Sequence, residues 1–268
     1  MGLKRGITAG LMVSACWFWV SVGLGAAEAV DYDNFLRIGK FEVVVDGQVD
    51  GQARLYHSMS PPAFLIMVPV LEEAIVLLPG RSEVASVSKD HVEADEDRAA
   101  IASQADLRTV GDFTVGSGQT VDLKVDGRAV GLRPKSDLVG EVSSQDLKNY
   151  DPLYRIRSRE YQPDPNFVRI LKTYQGKAQV RVFFGSWCQF CQANVPKMIK
   201  LEEQLADTGI SFSYYGLPHG FNSEPVAIEA NVKQVPTAIV TVDGKEVGRI
   251  IGTDTQNPAG NLHRVLMR

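Results

Sequence analysis

The chain has 268 residues, of which 44% are hydrophobic and 22% are charged, and its formal net charge is −4. This is an ordinary globular composition, and the length allows one large domain or two modest ones. A nucleic-acid partner would normally require a basic surplus, so we expect none.

The N-terminus has the pattern of an export signal. Lys4 and Arg5 precede an apolar run over residues 7–27, and Ala27-Glu28-Ala29 then provides a small-residue cleavage site. We expect residues 1–29 to be a signal peptide, which predicts a periplasmic or otherwise exported protein. The run also approaches the ~20 apolar residues of a membrane-spanning helix, so an uncleaved membrane anchor is the second interpretation.

The number of cysteines in the mature protein depends on how this N-terminal signal is processed. A lipoprotein signal ending at Cys16 is a third interpretation, although an apolar Trp-Phe-Trp-Val run follows it. If residues 1–29 are removed, Cys188 and Cys191 are the remaining cysteines. A disulfide across so short a loop stabilises a fold little, so the pair indicates redox chemistry more than a structural staple.

Residues 30–150 are expected to form a mostly β domain, such as a small sandwich. Asp46-Gly47 and Asp126-Gly127 each follow an alternating apolar stretch, which is a strong hairpin signal. The short apolar runs at 63–69 and 74–80 are typical of buried strands. The polar stretch 89–107 is predicted to interrupt the strands, with partial helical character.

Residues 151–163 are predicted to be a connector. Arg155, Arg157 and Arg159 alternate in the sequence YRIRSRE. In a strand, this alternation would place all three on one face. A solvated edge strand is favoured over a basic docking surface.

Residues 164–268 show helices alternating with strands. Asp164-Pro165 is a helix N-cap followed by proline in the first turn, and Asn257-Pro258 repeats this signal near the end. The predicted order of elements is α-β-α-β-α-β-β-α, listed as a helix from 164, a strand at 178–184, a helix at 191–205, a strand at 210–216, a short helix at 225–232, a hairpin turning at 243–244 and a last helix.

This part of the chain resembles the thioredoxin-like superfamily of thiol–disulfide oxidoreductases. Trp187-Cys188 and Cys191 form a W-C-x-x-C motif after the first strand, and Pro196 follows five residues later. Residues 234–237 (QVPT) stand where the family has its cis-proline loop. The predicted fold class is therefore an α/β thioredoxin-like C-terminal domain preceded by a mostly β N-terminal domain.

The positions of the two cysteines relative to the helix N-terminus predict different roles for them. Cys188 lies at a helix N-terminus, where unpaired N–H groups and the helix dipole favour the thiolate. It is therefore expected to be the nucleophile. Cys191 lies one turn further on and is expected to resolve the mixed disulfide.

The resemblance also implies how the substrate is held. It implies a cis Val235–Pro236 bond, which brings the loop beside the cysteines so that Val235 and Pro236 position an extended substrate segment. Trp187 is expected to pack beside the motif. The resemblance implies no cofactor, protein substrates that carry disulfides or thiols, and a membrane redox partner that recycles the cysteines.

Several positions depart from the family. The dipeptide Gln189-Phe190 matches neither the reducing thioredoxins nor the strong periplasmic oxidant, so the direction of electron flow stays open, with reductase or isomerase favoured over oxidase. Val182 replaces the buried aspartate of thioredoxins, and Asn194 replaces the glutamate of the membrane-tethered reductants. Glu202, Glu203 or water are the alternatives for moving the Cys191 proton.

Two other functions compete with this prediction. A copper site on a thioredoxin scaffold would pair the cysteines with a distal histidine, for which His219 is the candidate, although a surface loop residue is favoured. Alternatively, the β domain captures a partner and the cysteines are secondary. Some disulfide isomerases dimerise through an N-terminal domain, so a homodimer through residues 30–150 is a further expectation.

Overall fold

The protein is described by a computed structural model that covers residues 32–267. The predicted signal segment, with Cys16, lies outside the described residues. Within residues 32–267, no helix is both long enough and apolar enough to cross a membrane.

The N-terminal part of the described chain forms one large antiparallel sheet. Its twelve strands, in chain order, are β1 (Phe35–Arg37), β2 (Phe41–Val45), β3 (Gln48–Val49), β4 (Arg54–Met59), β5 (Pro62–Met67), β6 (Glu73–Leu78), β7 (Glu83–Ser88), β8 (Val92–Ala94), β9 (Arg98–Ile101), β10 (Arg108–Val115), β11 (Val121–Val125) and β12 (Arg128–Pro134). In space they follow the order β3-β2-β12-β11-β10-β7-β6-β5-β4-β1-β9-β8. The predicted mostly β domain is confirmed.

The central strands are buried on both faces, which explains their continuous apolar runs. In β6, Ile75 and Leu77 point into one core, and Ala74 and Val76 point into another. The first of these cores also contains side chains from β2, β11 and β12, so the sheet curls and its two parts pack on each other. Successive side chains of β6 therefore point to opposite faces of the sheet, as in any strand, and both of these faces are covered by apolar cores.

Asp-Gly turns define the hairpins, as predicted. Asp46-Gly47 joins β2 to β3, and Asp126-Gly127 joins β11 to β12. All four residues have positive φ angles, as a type I′ turn requires. The stretch 89–107 differs from the prediction: it contains the paired strands β8 and β9, and its one helical segment is the 3-10 turn Lys89–His91.

The C-terminal part of the described chain forms a second sheet flanked by helices. Its five strands are β13 (Gly140–Val142), β14 (Ala178–Phe184), β15 (Ile210–Gly216), β16 (Thr237–Val242) and β17 (Lys245–Ile251), in the order β13-β15-β14-β16-β17. The helices are α1 (Ser144–Tyr150), α2 (Pro152–Glu160), α3 (Pro165–Leu171), α4 (Gln189–Gln204), α5 (Pro225–Glu229) and α6 (Pro258–Leu266). The β14–β15 pair is parallel and the others are antiparallel. The predicted order from residue 164 onward is confirmed.

The segment between the two parts differs most from its prediction. β13 pairs with β15, so residues 140–142 belong to the second sheet and not to the β domain. The strand predicted for YRIRSRE is wrong, because these residues lie in α2. Asp151 caps α2 and Pro152 occupies its first turn, the same local signal that starts α3.

Helix α2 packs into both parts of the molecule. Leu153 and Ile156 lie in the core that the curled sheet encloses, whereas Tyr154 lies in the core of the second sheet. Positions 153 and 156 share one side of a helix, and position 154 is rotated away from them. The predicted connector is thus a shared structural element.

Candidate active site

The two cysteines lie at the start of α4. Cys188 is the N-cap residue, and its sulfur accepts a hydrogen bond from the Cys191 backbone N–H at 3.1 Å. Cys188 is half-buried and Cys191 is fully buried, and both are thiols that are not joined in a disulfide. The chain leads out of β14 through Gly185, so the motif stands at a strand-to-helix turn.

The two thiols differ strongly in acidity. The hydrogen bond from the Cys191 side chain lowers the pKa of Cys188 to about 6, with backbone N–H groups adding to the effect against partial burial. Burial, and then the hydrogen bond to Cys188, raise the pKa of Cys191. At neutral pH Cys188 is therefore mostly a thiolate, whereas Cys191 keeps its proton. A nucleophile and a resolving cysteine, the roles predicted from the sequence, would need this difference in acidity.

The loop before β16 lies against the cysteines. Cys188 Sγ is 4.0 Å from the Val235 carbonyl oxygen. The Val235–Pro236 peptide bond is cis, and the Pro236 carbonyl accepts a hydrogen bond from the Gly252 N–H at 3.0 Å. Val235 is half-buried and Pro236 is buried. The structure thus brings Val235 and Pro236 together with the cysteine pair.

Trp187 forms an aromatic surface beside the motif. Its indole N–H donates to the Leu217 carbonyl at 2.9 Å. Its ring stacks on His219 and Phe221, with centroids 4.5 Å and 6.4 Å away. A Cβ on Gly185 would lie 2.5 Å from the indole ring, so this position has room only for glycine.

His219 is part of this aromatic stack. Its Nδ1 lies 3.0 Å from Asp137 Oδ2, and its ring lies on Trp187. Among residues 32–267, no group of three or more Cys, His, Asp or Glu side chains is arranged to hold a metal ion. The described geometry therefore gives no support to the copper alternative.

The acidic candidates for moving the Cys191 proton lie far from it. Glu202 accepts a hydrogen bond from Tyr214 at 2.8 Å, and Glu203 pairs with Lys148 at 2.7 Å. The two residues are about 16 to 18 Å from Cys191 along the axis of α4, given the 1.5 Å rise per residue. Their suggested role in the active site is wrong.

Sequence reasoning missed two buried polar residues of the segment that contains α2. Tyr154 of α2 is buried in the same core as Cys191, and Asp151, the N-cap of α2, is also buried. Both fell in the segment interpreted as a connector. Asp151-Pro152 was the signal that could have identified the helix.

The family comparison fits this arrangement. Residues 160–263 match the family model described as Thioredoxin. The C-terminal domain has the thioredoxin fold. The match begins at residue 160, so the β domain lies outside it.

Individual relatives cover the same region. Thioredoxin-2 of Saccharomyces cerevisiae is 38% identical over 77 residues, which are 29% of this chain and 66% of that protein. The alignment thus spans slightly less than two thirds of the yeast protein. Among solved structures, Fasciola hepatica thioredoxin is 25% identical, covering 36% of this chain and 88% of that one, with a TM-score of 0.28. Oxidised mitochondrial thioredoxin 3 of Saccharomyces cerevisiae is 21% identical, covering 41% and 97%, with a TM-score of 0.27.

Proposed function

We propose that this protein is an exported thiol–disulfide oxidoreductase that exchanges disulfides with protein substrates through Cys188 and Cys191. The observation that carries the proposal is the unequal pair at the start of α4. One thiol is accessible with its pKa lowered to about 6, and the other is buried one turn away with its pKa raised. Nucleophilic thiols have this environment, whereas structural cysteines are inert and buried.

The exchange has two steps in the reducing direction. The Cys188 thiolate attacks one sulfur of a substrate disulfide, a new S–S bond forms, and the other substrate sulfur leaves as a thiolate. Cys191 then loses its proton and attacks Cys188, which releases the second substrate thiolate. The cysteine pair ends as a disulfide and the substrate as two thiols. The same steps run backwards in the oxidising direction, and no cofactor takes part.

Substrate positioning is assigned to Val235, Pro236 and Trp187. The Val235 carbonyl is close to the Cys188 sulfur, so a substrate segment that pairs with this backbone would present its disulfide to the nucleophile. The aromatic stack on Trp187 provides an apolar surface on the neighbouring side. Backbone pairing makes little demand on the substrate side chains, which suits many unfolded proteins.

The acidity of Cys188 supports one direction of electron flow over the other. A strong oxidant needs a very stable thiolate, and its nucleophilic cysteine has a pKa of about 3.5, against about 7 in thioredoxin. The Cys188 pKa of about 6 is closer to the second case. We therefore favour a reductase or isomerase over an oxidase.

The apolar run at 7–27 supports export to the periplasm or retention at a membrane surface. A protein that reduces substrates there needs a supply of electrons, which we assign to a membrane redox partner. The β domain is a candidate for forming a homodimer. The net charge of −4 supports protein partners and not nucleic acid.

Cysteine substitutions test the proposal. We expect Cys188→Ser to abolish the reduction of insulin disulfides with dithiothreitol as electron donor, because the attacking sulfur is lost. We expect Cys191→Ser to accumulate covalent mixed disulfides with substrate, because the resolving thiol is lost. Non-reducing gels and mass spectrometry detect these adducts. Equal activity of both variants and the wild type would contradict the proposal.

A further inference from the structure

A cavity of about 540 Å³ lies at one end of the large sheet, where β1 and β5 end and β4 begins. Of the eight residues that line it, three are basic, namely Arg37, Arg54 and Lys89, and none is acidic. The chain as a whole has a net charge of −4, so three positive charges around one cavity are a local exception. All eight residues belong to the β domain, so the cavity is distinct from the cysteine site.

Strand pairing places the two arginines side by side. Arg37 of β1 lies opposite Tyr56 of β4, and Arg54 lies two residues before Tyr56, so the three side chains share one face of the sheet. Residues in this diagonal relation are about 7 to 8 Å apart, which is within reach of long side chains. Both guanidinium groups can therefore contact one ligand.

The Arg37 guanidinium is held by an aromatic ring. Its central carbon lies 5.8 Å from the centroid of the Tyr56 ring, and the Tyr56 hydroxyl is itself fixed by donating to the Asp95 carbonyl at 2.7 Å. A guanidinium that stacks on a ring keeps its N–H donors at its edge. The stacking thus positions Arg37 without using the donors that would bind an anion.

Lys89 brings the third charge to the same end of the sheet. Its ammonium donates to the Val68 carbonyl at 3.0 Å and also to the Leu71 carbonyl. Val68 follows Met67, which lies opposite Arg54 in the β4–β5 pair. An ammonium has three N–H donors, so one remains for a ligand.

No carboxylate of the described chain neutralises these charges. Within residues 32–267, Arg37, Arg54 and Lys89 form no ion pair. Asp50, in the turn before β4, does not line the cavity, and its carboxylate accepts hydrogen bonds from two backbone N–H groups of its own turn. A bound anion would relieve the repulsion among the three cations.

Protection of a sheet edge does not explain the two arginines. Basic side chains often keep an exposed edge strand from pairing with another chain. However, β1 lies between β4 and β9, and β4 lies between β5 and β1, so both strands are interior. Ligand binding accounts for their position better.

We propose that this cavity binds an organic phosphate monoester. The two guanidinium groups match phosphate oxygens with pairs of N–H donors, and Lys89 adds a point charge. A phosphate monoester carries about 1.5 to 2 negative charges at pH 7 and three acceptor oxygens, so it fits three cations better than a carboxylate does. Met67 and Pro69 also line the cavity and give the organic part of the ligand an apolar contact.

Isothermal titration calorimetry on the full-length protein tests the proposal, with glycerol 3-phosphate and inorganic phosphate as probes. We expect saturable binding of one glycerol 3-phosphate per chain, weakened by added salt because the attraction is electrostatic. Acetate should bind more weakly on the order of 10-fold, because it has fewer charges and fewer acceptor oxygens. Equal affinities for acetate and glycerol 3-phosphate would contradict the assignment to phosphate.

Charge-removing variants locate the binding site. We expect Arg37→Gln and Arg54→Gln each to weaken glycerol 3-phosphate binding on the order of 10-fold, because each loses a charged hydrogen-bond donor. Arg54 is exposed, so its variant should fold even if Arg37→Gln disturbs the packing of Tyr56, and circular dichroism checks both. Lys124→Gln is the matched control, because Lys124 is exposed in β11 and lines a different cavity. It should bind as the parent protein does.

Vesicles distinguish a lipid headgroup from a soluble phosphate ester. The full-length protein is sedimented with vesicles of phosphatidylcholine alone or of phosphatidylcholine with phosphatidic acid, a lipid monoester. The apolar run at 7–27 can bind both kinds of vesicle, so the readout is the difference between them. A preference for phosphatidic acid that Arg54→Gln abolishes would identify a lipid ligand. Binding of glycerol 3-phosphate without such a preference would identify a soluble one.

Three results would overturn the proposal. The first is that neither phosphate probe binds saturably and the two kinds of vesicle bind equally. The second is that either arginine variant binds as tightly as the parent protein. The third is that Lys124→Gln weakens binding as much as the arginine variants, because the attraction would then be a general effect of charge. None of these measurements involves the cysteines, so their outcome is independent of the proposed function.

Discussion

Cys188 owes its acidity mainly to its partner cysteine. The largest contribution comes from the Cys191 side chain, and the backbone N–H groups of Cys191 and Phe190 contribute less. Helix N-termini favour anions in general, but here the neighbouring thiol supplies the strongest donor. Cys191 therefore has two roles, because it activates the nucleophile before it resolves the product.

Cys191→Ala tests the first of these roles. We expect the pKa of Cys188 to rise from about 6 towards its ordinary value of 9.0, because the S–H donor is lost while the backbone donors remain. The measurement is the rate of iodoacetamide alkylation against pH. Gln189→Ala, at an exposed position of α4, is the control and should leave the midpoint near 6. A midpoint that does not move in Cys191→Ala would refute the assigned cause.

The same shift makes one pH-dependent contribution to the stability of the reduced protein. The folded-state pKa of Cys188 lies below its ordinary value, so the folded state favours the thiolate. The resulting stabilisation is fully present above about pH 9 and is lost as the pH falls through about 6. The disulfide form has no such thiol, so this contribution is specific to the reduced state.

Helix α2 shows where local patterns mislead. The alternating arginines favour a strand, yet Asp151-Pro152 starts a helix. In the helix, Arg155 and Arg159 lie one turn apart and both contact Asp97, with Arg159 Nη1 at 2.8 Å from its carboxylate. Arg157 points elsewhere because it is rotated by about 200° from Arg155. The basic surface formed by Arg155 and Arg159 is thus used within the molecule, where it binds Asp97 of the β domain.

Arg155→Ala tests how much this contact contributes. Asp97 is only 20% exposed, and Arg155 also pairs with Glu96 at 2.8 Å. Removing Arg155 leaves the Asp97 carboxylate partly buried without its main partner, which should lower the free energy of unfolding by about 2 kcal/mol. Urea denaturation followed by circular dichroism measures the change.

Arg128→Ala is the matched control for that substitution. Its ion pair with Asp46 is exposed on both sides, so its loss should cost less than about 1 kcal/mol. If the two variants lose the same stability, the contact between α2 and the β domain is no stronger than an ordinary surface pair.

Elements with strong local signals were predictable from the sequence. The strands at 178–184 and 210–216 and the three Asp-Gly turns match their predictions because turn chemistry and apolar periodicity fix them locally. The W-C-x-x-C motif similarly predicted that the two cysteines lie at the turn from β14 into α4. Strand β13 was not predictable, because three residues carry little pattern and pair with a strand far along the chain. Tyr154 lacks a motif, and only packing brings it into the core that contains Cys191.

The two domains of the described chain are linked through the buried aspartate at the start of α2. Asp151 accepts an N–H from Gly39 of the β domain and another from Leu153 at the start of α2. A Cβ on Gly39 would lie 2.7 Å from both Pro152 Cδ and the Tyr150 carbonyl oxygen, so only glycine allows this approach. The β domain therefore helps to bury this carboxylate, which caps α2.

The most direct test of the whole account is a redox titration of the Cys188–Cys191 pair in the full-length protein. The protein is equilibrated with defined ratios of reduced and oxidised glutathione, and free thiols are counted by mass tagging. We predict one two-electron transition between roughly −270 and −180 mV, the range of reductases and isomerases. Cys191→Ser should abolish this transition. If no disulfide between Cys188 and Cys191 forms at any glutathione ratio, the two cysteines do not exchange electrons and the account is wrong.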